Sequence, residues 1–334
     1  GVLRPKLQLC SRKKIMFQRV KSFAVKIHPV VGLLFLLLCL VSITGCSAVS
    51  SIEKSTKRMV RDFRAPDSDL KKRVVILLFE NKMTLANKDV EVKFIRDLSE
   101  TIASSCSNIL LEKPGDSGYP DDLAKVPRTR SGWIDNLALA KTGRQLGLNA
   151  IVTGALTTVT PNKRKQGVWW LKDTHYFAQV RIATEVYDTE TGAKLLDESF
   201  VHEIEVDEMD LESIRAGGEM NALIVDEAFR AIADKMGEKI CNAIVFQPWK
   251  GFIASIDSDK IFLNFGENIG LKIGNLFEVF DSSSIFEGLE GHRFFKPGLK
   301  TGEIKITAVY PDTAEAILVS GHDIRPGFCV QPKE

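Results

Sequence analysis

Hydrophobic and polar positions change rhythm along this chain, and each change marks an element. The first apolar stretch, Val30 to Val41, "VVGLLFLLLCLV", is unbroken by a polar face but falls short of the ~20 residues that a spanning helix needs. "RVVILLFEN" (73–81) is a continuous β-branched and apolar run, which predicts a central strand covered on both faces. Residues 90–107 place Phe94, Ile95, Leu98, Ile102 and Cys106 on one helical face, and "NILLEK" (108–113) follows as a short strand. A polar loop (114–132) leads to a second helix over 133–147, stopped by Gly147, and to the strand "LNAIVTGALTTV" (148–159). "PNKRKQG" (161–167) predicts a turn, after which residues 174–188 and 193–206 alternate as antiparallel strands about the turn "TETG". A long amphipathic helix, 219–245, closes the unit with Met220, Leu223, Ile224, Ile232, Met236 and Ile240 inward. The order β-α-β-α-β-β-β-α predicts a mixed sheet in the order 2-1-3-4-5, with right-handed crossovers setting the first two helices on opposite faces. After the break "QPWKG" (247–251) six short strands predict a small barrel. The expected fold class is therefore α+β followed by a small all-β barrel.

Charge sharpens the reading of the N-terminus. Residues 1–45 hold eight of the 45 basic side chains and none of the 43 acidic ones. A basic stretch, a short apolar run and a small residue at its end describe an export signal, and everything required is present from Met16 onward, a candidate start. The signal ends Ile43-Thr44-Gly45-Cys46, which resembles the bacterial lipobox. That resemblance implies cleavage between Gly45 and Cys46, a diacylglyceryl thioether on Cys46 and acylation of the new amine. Cysteine suits the position because a thiolate is nucleophilic enough to attack a lipid donor, and two or more acyl chains anchor stably where one does not. Ser47 beside it, rather than Asp, resembles proteins sorted to the outer membrane. Removing the signal leaves 37 basic against 43 acidic residues, so nucleic-acid binding loses its only global support. Residues 46–70 read as a lipid-anchored linker, basic and solvated, with a segment lying on anionic headgroups as the other reading.

"RVVILLFEN", "LGLNAIVTGALTTV" and "VRIATEVYDTETGAKLLDES", followed by a long helix, resemble the periplasmic α/β domain shared by the TolB N-terminal part, curli-secretion lipoproteins and the middle domain of flagellar assembly protein T. "GFIASIDSDKIFLNFGENIGLKIGNLFEVFD" resembles that last family's C-terminal SH3-like domain. The resemblance implies an α/β module over 71–247 and an SH3-like barrel over 248–334. The lipobox departs from flagellar assembly protein T, which carries an ordinary signal.

Candidate chemistry is sparse. Gly266, Gly270 and Gly274 precede no helix and read as turn glycines rather than a phosphate cradle. His175 and His202, near Asp173 and Glu203, read as surface histidines, because zinc needs three or four converging ligands. "EVDEMDLE" (205–212) reads as a helix start, where acids favour the dipole. No nucleophile elbow is present, and neither catalytic nor metal residues nor a cofactor beyond the lipid on Cys46 are expected. Cys106 and Cys241 fall on two helices that share a sheet face; an oxidising compartment permits a bond between them, and two buried thiols are the favoured reading. Adjacent Trp169 and Trp170 should alternate across a strand, one facing away from the core. With Lys163, Arg164 and Lys165 they form a candidate interface; the favoured reading packs one tryptophan in the core and the other under the loop.

The expectation is a non-catalytic, periplasm-facing outer-membrane lipoprotein that docks into an envelope complex as a homo-oligomer, such as a ring about a flagellar apparatus. The alternatives are a curli-type secretion channel, in which each subunit donates four spanning strands of about 9–11 residues, and an activator of an envelope enzyme.

Overall fold

A computed structural model describes residues 69–83, 87 and 89–333. The signal, Gly45 and Cys46, and the linker as far as residue 68 lie outside the described residues.

The apolar run beginning at Arg73 becomes β1 (Lys72–Ile76) and the short β2 (Glu80–Asn81). Then follow α1 (Val90–Ser105), β3 (Ile109–Glu112), α2 (Asn136–Gln145), β4 (Ala150–Val168), β5 (Leu171–Asp188), β6 (Lys194–Val206), α3 (Glu208–Arg215) and α4 (Ala222–Val245). The main path through the sheet is β3-β1-β4-β5-β6, parallel from β3 to β4 and antiparallel from β4 to β6. This is the strand order expected from the sequence.

Successive residues of β1 serve opposite layers. Val74 and Ile76 join Val152, Val180 and Ile182 beneath α1 and α4, whereas Val75 and Leu77 join Ile151 and Tyr187 beneath Leu139 of α2. Burial on both sides is why β1 carries no alternation in sequence. In the larger layer Phe94 lies tilted against Phe79 (5.5 Å) and edge-on to Phe229 (5.4 Å), and aromatic pairs of this kind add about 0.5–1.5 kcal/mol beyond the area they bury. Three of the four helix starts follow the capping rule: the side chains of Asp135, Asp207 and Asn221 accept from backbone N–H groups of α2, α3 and α4, whereas Asp89 ahead of α1 makes no such bond. The acidic cluster at 205–212 thus begins α3.

The second module runs through β7 (Gly251–Asp257), β8 (Lys260–Leu263), β9 (Leu276–Phe280), the hairpin β10 (Ile285–Glu287) and β11 (Arg293–Phe295), β12 (Lys300–Val309), β13 (Ala314–Gly321) and β14 (Cys329–Pro332). Six of these strands close a barrel in the order β12-β13-β8-β7-β14-β9. Trp249, in the sequence break, packs on Phe265 and Phe277 in the barrel core, and Leu70 joins them from ahead of β1. The break is thus barrel core rather than linker.

Lys72 begins β1 buried, and its ammonium donates to Ile244 O (3.2 Å) and Val245 O (3.0 Å) at the C-terminus of α4, where unpaired carbonyls and the helix dipole favour a cation. Burial, and then the nearby charge of Lys250, lowers its pKa from 10.5 to about 8. Between those values the unfolded chain binds the proton that the folded one has released, so Lys72 makes stability rise with pH across that window. The urea midpoint of the wild type, measured from about pH 7.5 to about pH 9.5, is expected to rise relative to that of Lys72→Met. Parallel curves would contradict the assignment.

Candidate functional site

Two features bring chemistry-bearing side chains together. The first is the junction between modules. Asp188 and Thr191 fold the β5–β6 turn: Asp188 accepts from the Thr191 hydroxyl (2.6 Å) and backbone N–H (3.0 Å), and Gly192 takes a positive φ of 78° against Asn136. This turn is gripped from both modules. The Arg144 guanidinium of α2 donates to the carbonyls of Thr189, Glu190 and Ser282 and lies 3.6 Å from the centroid of Phe295. Lys250, at the entrance to the barrel, pairs with Glu190 and approaches Asp188 (3.7 Å). All four charged groups are buried. Burial lowers the Arg144 pKa to about 10; burial alone would also depress Lys250, but Asp188 and Glu190 hold its ammonium above the ordinary lysine value. One backbone bond, Lys71 N–H to Ile269 O (2.8 Å), and one from a side chain, Trp249 Nε1–H to Lys71 O (3.0 Å), add to the joint.

A cleft of about 940 Å³ opens beside the junction, lined by Lys141, Arg144, Arg293, Asn264, Ile253 and Phe328. A second, about 610 Å³, lies on the open sheet face among Arg128, Trp133, Thr153, Glu185, Tyr187 and Lys194. Charges in the second are mutually paired: Lys194 binds Glu185 (2.6 Å) and Asp197 (2.8 Å), and Arg128 binds Glu80. Tyr187 donates to Glu185 (2.7 Å), and burial first, then that bond, raises its pKa. Among the described residues no group of three or more metal-type ligands converges. His175 instead pairs singly with Glu205 (2.6 Å). Cys329 is buried and its thiol is pushed up by burial, the setting of an inert sulfur.

The second feature is a projecting hairpin, and here two expectations are corrected. "PNKRKQG" forms no turn; it continues β4, which pairs with β5 through Val168 and Leu171. Pro161 is accommodated because β4 is an edge strand there, with β5 on one side only. Trp169 and Trp170 do not alternate across a strand with one facing inward. They are the turn itself, both exposed (80% and 77%), with ring centroids 5.1 Å apart. The structure gathers Lys163, Arg164 and Lys165 on the same ribbon; Arg164 pairs with Glu203 and covers the Phe177 ring at 4.6 Å.

Cys106 and Cys241 meet between α1 and α4 with Cα atoms 6.1 Å apart, inside the disulfide range, and the structure links them.

No family profile and no curated protein matches the chain. Solved structures overlap it in part. A hypothetical protein of Chlamydia trachomatis is 12% identical over 52% of this chain and 99% of that one, with a TM-score of 0.28. A PelC dodecamer subunit of Paraburkholderia phytofirmans is 11% identical over 53% and 92% (TM-score 0.29), and a lipoprotein of Neisseria meningitidis 9% over 43% and 93% (TM-score 0.26). Scores at this level carry no functional argument.

Arg144, Glu190 and Lys250 were not singled out by sequence reasoning. Their signal was faint: an acidic turn motif in one module and a lone lysine beside the tryptophan that opens the other.

Proposed function

We propose that the chain is a non-catalytic outer-membrane lipoprotein, facing the periplasm, whose two modules act as one structural piece of an envelope assembly such as a flagellar basal-body ring. The observation that carries this reading is the Gly45-Cys46 end of the apolar signal, which supplies an anchor ahead of the folded body. The buried junction supports it, because a scaffold must transmit position from one module to the other, and ion pairs sealed from water hold geometry that exposed pairs do not. A closed barrel, and a cleft on the sheet face whose Arg128, Glu80, Lys194, Glu185 and Asp197 are mutually paired, supply surfaces rather than reacting groups.

A curli-type channel is less well supported. Past the end of β6 the β4–β5 ribbon extends only five residues per strand, where a spanning strand needs about 9–11. An enzyme activator would need a partner-specific groove, and neither cleft has an unpaired buried polar group to define one.

Mass spectrometry of the membrane-extracted protein tests the anchor. The expected result is a chain that begins at Cys46 and carries acyl groups, and Cys46→Ser should retain its leader and lose the lipid mass. A Cys46→Ser protein of unchanged mass would overturn the reading.

A further inference from the structure

Beyond Arg164 and His175, which pair with Glu203 and Glu205 of β6, the β4–β5 hairpin makes no ion pair with the rest of the described fold. Pairing of β5 with β6 ends at Tyr176 and Val206, while pairing with β4 runs on to Val168 and Leu171. What remains is a two-stranded ribbon about 20 Å long with water on both faces. At its end stand Val168, Trp169 and Trp170, each about four-fifths exposed. Their apolar area buries nothing of this molecule, and the two indoles touch chiefly each other.

The backbone sharpens the point. Trp169 holds φ at 50°, in the left-handed region where glycine is at ease and a bulky side chain is an outlier. A two-residue hairpin turn has easy solutions, and this chain spends a strained position on an indole. The side chain is therefore kept for a contact outside the fold.

Charge around the tip decides the kind of contact. Between positions 162 and 175 there are four basic residues, Lys163, Arg164, Lys165 and Lys172, and one acidic residue, Asp173. Cross-strand register sets Lys163, Lys165 and Lys172 on one face of the ribbon, and these three are exposed without an ion-pair partner among the described residues. Tryptophan at the extremity with Lys172 about 7 Å and Lys165 about 13 Å to the rear along the strands is the arrangement that suits a bilayer surface. Indoles settle at headgroup depth, and ammonium groups reach anionic phosphates. A protein pocket would take the indoles but has no need of an unpaired cationic collar.

We infer that the Trp169–Trp170 tip is a second membrane contact, inserting into the headgroup region of an anionic phospholipid leaflet. It rests on the lipoprotein reading, for which the leaflet is the one that holds the Cys46 chains. Reach allows it. β4 spans roughly 60 Å from base to tip, and the stretch from Cys46 to Asp69 has a contour length of about 80 Å.

The test uses the whole lipidated protein in vesicles of phosphatidylethanolamine and phosphatidylglycerol with brominated acyl chains, which quench tryptophans that enter the bilayer. The chain has four tryptophans, the others being Trp133 and the buried Trp249. Emission is expected to be quenched in the wild type and in Trp133→Phe, with the quenching lost in the double variant Trp169→Ser/Trp170→Ser. The melting temperature of the double variant should be unchanged, and Trp169→Gly should melt no lower than wild type. Equal quenching in wild type and double variant, or none in either, overturns the inference. So does tip emission that shifts to the blue only when envelope proteins are added, which would assign the tip to a protein pocket. Mass spectrometry of Cys46 reads the anchor separately. An acylated chain with an unquenched tip refutes the tip alone, whereas a quenched tip on a chain without acyl groups refutes the anchor alone.

Discussion

Lys250→Met is expected to lower the unfolding free energy by about 3–5 kcal/mol, the cost of leaving buried charges unpaired. Lys250 faces Asp188 and Glu190 in the joint, and all three are shielded from water. A neutral side chain of similar volume keeps the packing and removes the ammonium, so the loss measures the stranded carboxylates rather than a cavity. Urea unfolding at neutral pH gives the number. Adding Glu190→Gln to Lys250→Met should recover part of the loss, because one of the two stranded charges goes with it. A loss under about 1 kcal/mol would mean that water enters the joint and the carboxylates are solvated there. Because Asp188 and Glu190 raise the Lys250 pKa, its contribution is complete below the ordinary lysine value and is lost only as pH climbs through the higher folded one. Neutral pH is therefore the proper place to measure it.

The second large effect concerns Cys106 and Cys241. The link joins residues 135 apart in sequence and ties the end of α1 to the last turns of α4. Closing so long a loop restricts the unfolded chain, and removing such a bond costs about 2–4 kcal/mol. Cys241→Ala, or reduction of the wild type, is expected to lower the urea midpoint accordingly. Thiol titration of the lipidated chain in denaturant should find one free thiol, Cys329, without reductant and three after reduction. Equal counts would show that the two sulfurs sit side by side unbonded, and the stability loss should then shrink to that of a small cavity.

Much of this architecture was legible because its signals are local. The run at 73–81, the helical stripe of α4, from which only Leu223 in the first turn departs by facing water, and the turn residues between barrel strands each depend on neighbours a few positions away, and together they dictate the sheet order through the handedness of crossovers. The hairpin was misread for a physical reason. A ribbon with water on both faces has no alternation, so the polar run at 161–167 looked like a turn, and the true turn lacks the glycine that would announce it. Charges at the joint were hidden for a different reason. Arg144, Glu190 and Lys250 are far apart in sequence, and each alone reads as a solvated surface residue. Only the packing of barrel on sheet takes them out of water.

Leu70 and Lys71 are held by the barrel, although they precede the first strand of the other module. Synthesis runs from the N-terminus, so the opening of β1 emerges well before Trp249, Ile269 and the barrel strands that will hold it. The sheet can pair before then, but its leading edge stays loose until the final strands close. Such a chain should resist division into separately expressed modules, and the start of β1 should be fastened only when the barrel closes on Leu70 and Lys71.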